Sequence, residues 1–420
     1  MDQNNYIAQF EQLIASLTKE PNSMIDERKQ AFDKFILAGF PTKRSEAWQY
    51  TDLTPISKSK FNLLKKNGVQ INKDVFNKLA LPNSDRIVLV DGKIDFALSE
   101  FDDALTVKQL SDVLPIPNLS ITLDDSPFVA LNHAYSNSGY YIELTDNLNA
   151  DKPLHIINII TDHKKDVQLH QFNFIGIGRN SSVSVIEDHI NLHSANVFSN
   201  TVNKVVLQKN SNFKYATFQN FDSRNINLNH LFIEQSQDSN YAAQIITKNG
   251  SLIRNEIDIQ INGENCDTNI SGLGLLDNND HIENYTNIIH NQPHCNSQQL
   301  FKYILKDSAE GVFNGLVKVQ PGAQQTDSQQ ANKNILLSKK ALMNSNPQLE
   351  IYADDVQCSH GSATGELDQE AIFYLRSRGL DNETAKALLI EGFAREIIDR
   401  AGNESFHKRV TNELLEWLVK

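Results

Sequence analysis

Apolar residues recur at helical spacing only near the two ends of the chain, and the long stretch between them carries the pattern of strands. Ile7, Phe10, Leu13, Ile14 and Leu17 share one helical face, predicting an amphipathic helix that ends before Pro21. Ala31, Phe32, Phe35, Ile36 and Leu37 predict a second helix, stopped by Gly39 and Pro41. Residues 86–90, Arg-Ile-Val-Leu-Val, read as a short strand that runs into an Asp91-Gly92 turn.

From about residue 150 to 350, β-type runs of roughly six to ten residues follow one another, among them 182–186, 213–218, 256–261, 299–305 and 315–319. Asn180, Asn210, Asn249, Asn262, Asn278 and Asn279 stand at the breaks, where asparagine tolerates a left-handed backbone and hydrogen-bonds its own turn. So many strands need a very large barrel, two packed sheets or a solenoid. The number of breaks favours a β-solenoid over a single sandwich, although no strict repeat motif is visible.

The last part of the chain returns to helix. Leu367, Ala371, Phe373, Tyr374 and Leu375 lead to Gly379 as a C-terminal cap, and Asp381 then caps a helix with Ala385, Leu388, Leu389, Gly392, Phe393 and Ile397 on one face. Phe406, Val410, Leu414, Trp417 and Leu418 predict a third. Such helices either pack on their own protein or dock a partner. The expected fold is therefore mainly β with flanking helices: a helical and mixed region over 1–120, a β core over 121–365 and a helical domain over 366–420.

Composition narrows the function classes. The 420 residues include 39 Lys+Arg and 52 Asp+Glu, a net charge of −13, which argues against nucleic acid as a partner. No run approaches the roughly 18 apolar residues of a membrane span. The first five residues, Met1 to Asn5, show neither a basic region nor an apolar core, so no signal peptide is expected. Cys266, Cys295 and Cys358 are too few and scattered for a disulfide framework, and a reducing, cytosolic setting is expected.

Several motifs invite chemistry. Gly176-Ile177-Gly178 and Gly272-Leu273-Gly274 lack the third glycine of a dinucleotide fingerprint and open no predicted helix, so tight turns or close strand contacts are their expected role. No Gly-x4-Gly-Lys-Ser/Thr loop is present, so nucleotide chemistry has to come from another subunit. His290, His294 and Cys295 could bind zinc or iron, but Pro293 excludes a regular helix that would project them together; a polar turn is the plainer reading. Cys266 reads as a buried or turn-adjacent thiol. Cys358 and His360 differ: they follow the extended run 349–356 and precede a glycine-rich turn, and residues at i and i+2 of a strand face one ligand or one proton. Cys–His catalysis would need a third, orienting group that spacing does not reveal.

Residues 347–365, Pro-Gln-Leu-Glu-Ile-Tyr-Ala-Asp-Asp-Val-Gln-Cys-Ser-His-Gly-Ser-Ala-Thr-Gly, closely resemble the signature of the SufB/SufD family, scaffold subunits of the SUF iron–sulfur cluster assembly machine. The likeness continues through 373–379 and 392–394, reaches upstream to 315–319 and 334–338, and includes Arg44-Ser45-Glu46-Ala47-Trp48 near the N-terminus. Length makes the chain similar to the SufD branch. The resemblance implies a right-handed β-helix between helical regions, and pairing with a SufB-like subunit. It also implies recruitment of a SufC-like ATPase through the C-terminal helices, where Phe373, Tyr374, Leu388 and Phe393 are the candidates. A nascent cluster would form at the partner interface with Cys358 and His360 as tentative metal ligands on this side, half of a shared site. No cofactor would be held stably by the chain alone, and whether the complex carries a flavin is left open. On this reading the protein is a non-enzymatic, cytosolic subunit. Two rivals are a β-helix carbohydrate-active enzyme, for which Glu256, Asp258 and the other acidic residues form no cluster in the sequence, and a self-sufficient metalloprotein built on His290, His294 and Cys295.

Overall fold

The computed structural model describes residues 3–18, 20–64, 71, 80–114, 126–400 and 402–419. The expected boundary at 120/121 lies outside the described residues. Gln3–Ser16 and Asn22–Ala38 form the two predicted N-terminal helices, and Asp85–Val90 turns through Asp91 and Gly92, both at positive φ, into Lys93–Ile94.

The central chain is the expected β-solenoid. Tyr140–Leu144 lies in a first sheet, Leu154–Ile160 in a second, and the chain alternates between them as far as Leu342–Ile351 and Val356–Gly365. Each strand pairs in parallel with the strand two steps further on, so that Asn296, Asp327 and Gln357 stand in one file across three coils. The lumen face is buried in every inner strand and the outer face only where something covers it, so residues 256–261 alternate strictly between apolar and polar whereas Leu154–Ile160 is buried along almost its whole length.

The corners hold the repeat that the sequence conceals. Asn147, Asn180, Asn210, Asp238, Asn265, His294 and Gln325 all have positive φ and sit at the same corner of successive coils. Each backbone N–H donates to a carbonyl one coil on, from Asn147 to Arg179 through His294 to Gln324 and Gln325 to Asp355. Side-chain amides reinforce the stack, Asn210 Nδ2 donating to Asn180 Oδ1 at 2.9 Å and Asn180 Nδ2 to Asn147 Oδ1 at 2.8 Å. His294 thus occupies a corner position of the stack. Asn249 and Asn278 take the left-handed conformation at the opposite corner, whereas Asn262 and Asn279 do not.

From Asn180 onward the next position in each coil is a small residue whose side chain closes the turn. Ser211 Oγ donates to Gln208 O at 2.6 Å, Ser239 Oγ to Ser236 O at 2.6 Å and Thr326 Oγ1 to Ala323 O at 2.9 Å. Cys266 Sγ meets Gly263 O at 3.3 Å and Cys295 Sγ meets Pro293 O at 3.3 Å in the same file. Both thiols are buried and serve as turn-closing residues.

The lumen is packed with apolar side chains, including Ile253, Ile257, Ile259, Phe301, Tyr303 and Phe313. Gly272 and Gly274 make room for them: a Cβ on Gly272 would overlap the Phe301 ring, and one on Gly274 would lie 2.7 Å from Tyr303. The glycine pair is a packing device, as its sequence context suggested. Through the apolar packing runs an asparagine file, Asn173 to Asn203 (2.8 Å), Asn203 to Asn229 (2.7 Å), Asn255 to Asn284 (3.0 Å) and Asn284 to the Tyr303 hydroxyl (2.6 Å).

Both outer faces are covered. The N-terminal helices bring Phe10, Phe32 and Phe35, and the helix Pro127–Tyr135 brings Phe128 and Tyr135, against Phe198, Ile226 and Leu252 of the first sheet. Gln369–Ser377, Asn382–Ile398 and Glu404–Val419 are the three C-terminal helices, and Ile390, Ile397, Phe406, Leu414 and Trp417 pack on Ile246, Leu273 and Ile304 of the second. Asp381 caps the middle helix through Thr384 N at 2.9 Å, as its position predicted. The buried stripe of that helix is Ala385, Ile390, Ala394, Ile397 and Ile398; Ala385 and Ile397 belong to the predicted face, whereas Leu388 and Gly392 look outward.

The turn-closing role of the cysteines has a direct test. Replacing Cys266 and Cys295 together by serine should leave stability within about 1 kcal/mol of the parent, while Gly272→Ala should cost about 1–3 kcal/mol through overpacking. Urea midpoints measured on both variants check the pair of expectations.

Candidate functional site

The two ends of the solenoid are built differently. At its start the sheets finish in antiparallel strands, Lys93–Ile94 on the second and Leu105–Gln109 on the first. At its finish Leu342–Ile351 and Val356–Gly365 are edge strands, with no further strand paired to either among the described residues. Leu342 and Tyr352 turn their N–H groups back to the preceding strand, so the groups of Met343, Ser345, Pro347, Leu349 and Ile351 face outward. The Asp355 carbonyl accepts from the Gln325 N–H on the preceding coil, and the same alternation leaves Val356, Cys358, His360, Ser362 and Thr364 presenting their N–H groups at the open edge. Pro347 removes one donor from the first edge, while the second has no proline.

The same period of two sends the side chains of Cys358 and His360 to the lumen side of the last coil, at its mouth. Cys358 is half-buried in register above Ser328, and His360 is exposed in register above Gln330. One side of the mouth is apolar, where Cys358 and Val356 pack beside Leu349 over Val317, Val319 and Ala353. The Cys358 thiol is pushed up by burial, with the Asp327 carboxylate adding to the effect and the contact with Ser328 opposing it. It is therefore a neutral thiol near pH 7 that a metal or a partner's cation would have to deprotonate.

Polar groups line the wall below. Ser297 Oγ and Ser328 Oγ lie 2.8 Å apart, His290 Nε2 lies 2.9 Å from Ser297 Oγ, and Thr286 Oγ1 donates to Gln299 Oε1 at 2.7 Å. Burial holds His290 down at about 4, so its imidazole is neutral. His290 thus faces the lumen while His294 stands exposed at a corner, and the proposed trio with Cys295 does not converge. No group of three or more His, Cys, Asp or Glu side chains able to hold a metal ion occurs among the described residues. Cys358 and His360 by themselves offer two soft ligands where a cluster takes about four.

Stacking gathers carboxylates that no short-range pattern connects. Glu234, Glu256 and Asp258 do meet in a cleft of about 500 Å³ beside Trp48 and Tyr285 on the first sheet, because residues one coil apart are neighbours. Each is already engaged. Lys204 Nζ holds Glu234 at 2.5 Å, Arg254 Nε and His230 Nδ1 hold Glu256 at 2.6 and 2.8 Å, and Asn287 Nδ2 donates to Asp258 at 3.0 Å. Burial pushes Glu256 up, but Arg254 and His230 outweigh it and keep the carboxylate ionised. Arg254 lies 3.8 Å from the Trp48 ring centre, so the cluster pins the N-terminal segment to the solenoid.

Residues 159–393 match the family model described as SUF system FeS cluster assembly, SufBD core domain, and residues 1–90 match the SufBD protein N-terminal region. The chain is a SufD-like member of the SufB/SufD family. It is 30% identical over 392 residues to the iron–sulfur cluster assembly protein SufD of Escherichia coli, covering 91% of this chain and 90% of that protein. A SufBD family iron–sulfur cluster assembly protein of Synechocystis is 27% identical over 95% of this chain and 92% of its own length. The chloroplastic protein ABCI7 of Arabidopsis thaliana is 25% identical, with coverages of 96% and 89%. No helix among the described residues of the SufD-like chain is long and apolar enough to cross a membrane.

The environment of Cys358 predicts its reactivity. Iodoacetamide should modify it slowly at pH 7, and the rate should still be rising at about pH 8.5, where an ordinary thiol is half-ionised. Peptide mass spectrometry of the folded chain should show Cys266 and Cys295 protected throughout; a rate for Cys358 that levels off below pH 8 would contradict this environment.

Proposed function

We propose that the chain is a non-catalytic scaffold subunit on which an iron–sulfur cluster is assembled as cargo, in partnership with a SufB-like subunit and a SufC-like ATPase. The observation that carries this reading is the unpaired Val356–Gly365 strand, which directs Cys358 and His360 into the open mouth of the last coil in a chain of this family. An exposed edge of this length is rare in an isolated protein and common where a partner adds a strand. A second subunit seated on it would shield the mouth from water and supply the remaining ligands. Thiolate and imidazole are suited to iron that must later be released.

ATPase recruitment is assigned to the C-terminal helices. Phe373, Tyr374 and Leu388 are 74%, 56% and 49% exposed there, a large apolar exposure for helices otherwise well packed. Phe393 has a different position: its ring lies 4.2 Å from Lys302 Nζ and its carbonyl accepts from the same ammonium at 2.8 Å, so it ties the helix to the solenoid. Docking is therefore placed on the first three residues. Deleting the helices would bare the apolar face of the second sheet, which makes point variants the informative probe.

Two experiments test the reading. In complexes purified from cells, His360→Ala should lower bound iron and sulfide severalfold with complex yield and melting temperature unchanged. Cys358→Ala should show a weaker loss, and Cys266→Ala and Cys295→Ala should be nearly silent; normal iron in a stable His360→Ala complex would defeat the assignment. Separately, Phe373→Ala with Leu388→Ala should weaken ATPase binding by about tenfold or more without affecting SufB pairing. Titration calorimetry of the ATPase against both chains gives the comparison, with unchanged affinity as the opposing result.

A further inference from the structure

Beneath the mouth lies a side chain with no evident structural use. Gln330 is 3% exposed, yet neither Nε2 nor Oε1 of its amide has a hydrogen-bond partner among the described residues. Its Cα is in register with that of His360, one coil below. Its side chain spans the lumen from the second sheet to the first, where a Cβ on Gly315 would overlap the Gln330 Nε2 atom. Gly315 is in register with Pro347, so the amide lies below the gap between His360 and Pro347 on the two edge strands. Gln299, one coil deeper, is also 3% exposed and keeps its own Nε2 without a partner. A buried amide left unpaired is costly and is retained where something else pairs with it.

We propose that Gln330 is the floor of the assembly site and that its amide N–H donates a hydrogen bond to a sulfur atom of the cargo held above it by Cys358 and His360. This rests on the scaffold reading and adds a contact residue to it. An uncharged donor suits sulfide, whose lone pairs accept N–H groups, and it leaves iron to the thiolate and the imidazole. Such bonds stabilise the more negative, reduced state and so raise the reduction potential. Gly315 keeps the amide in place by leaving it room, and Gln330 is absent from the short-range motifs because only the register brings it under His360.

The test uses the full chain, alone and in the complex with its two partners, carrying Gln330→Met, which keeps the volume and removes both polar atoms. The isolated variant should melt at a higher temperature than the parent, since an unpaired amide has been replaced by an apolar group. The complex should form in normal yield yet carry severalfold less acid-labile sulfide, and whatever cluster it holds should show a lower midpoint potential. Gly315→Ala, which displaces the amide without removing it, should reproduce the loss of sulfide, and combining it with Gln330→Ser should relieve the overlap without restoring sulfide. A Gln330→Met complex with parental sulfide and potential would overturn the proposal. So would sulfide that falls only in step with a lowered melting temperature, which would assign Gln330 to packing. If His360→Ala and Cys358→Ala both loaded normally, the scaffold reading would fall, whatever Gln330 did.

Discussion

Everything in this molecule depends on parallel coils stacking in register. Along the inner strands each backbone N–H and C=O is satisfied by the coil before or after it, and each corner by an N–H reaching one coil on. Such a stack has no natural end. At the N-terminal side the chain closes it with antiparallel strands, and at the other side it stops with two edges exposed. The proposed site sits where, among the described residues, the repeating pattern stops without a next member.

The solenoid is held to its two helical covers by charge as well as by apolar packing. Arg409 meets Asp188 at 2.6 Å, Lys248 meets Glu413 at 2.5 Å and Lys302 meets Glu396 at 2.5 Å, each reaching between the C-terminal helices and the second sheet. Asp188 and the two lysines are almost wholly buried, so loss of the helix-side partner would leave a buried charge short of its counter-ion, at up to about 3–5 kcal/mol. Arg254 plays the corresponding part on the first sheet, stacked on Trp48 and paired with Glu256 and Glu283. These ties fix which residues of the helices remain outside, and Leu388 is one because Ile390 and Ala394 take the inner positions.

Much of this was legible in the sequence. The helices at both ends, the strand texture and the asparagines at Asn180, Asn210, Asn249 and Asn278 all followed from local physics. The repeat did not, because the corner position tolerates any residue able to adopt positive φ, and Asp238, His294 and Gln325 disguise it. His294 drew attention as a metal ligand for the same reason. Cys358 and His360 could be placed on one face of a strand from their spacing alone. Gln330 could not be linked to them, because thirty residues of sequence separate neighbours that the register puts one above the other. The acidic cleft beside Trp48 was hidden in the same way.

The open edge also bears on how such a chain survives before it is partnered. Val356–Gly365 offers outward-facing donors and acceptors over ten residues, with no lysine or proline within it to discourage another strand. Any extended segment that reaches it first can pair with it, whether the intended subunit, a second copy or a misfolded neighbour. On the scaffold reading, balanced synthesis of the subunits then becomes a matter of protein quality control, since an unclaimed edge is open to pairing of the wrong kind.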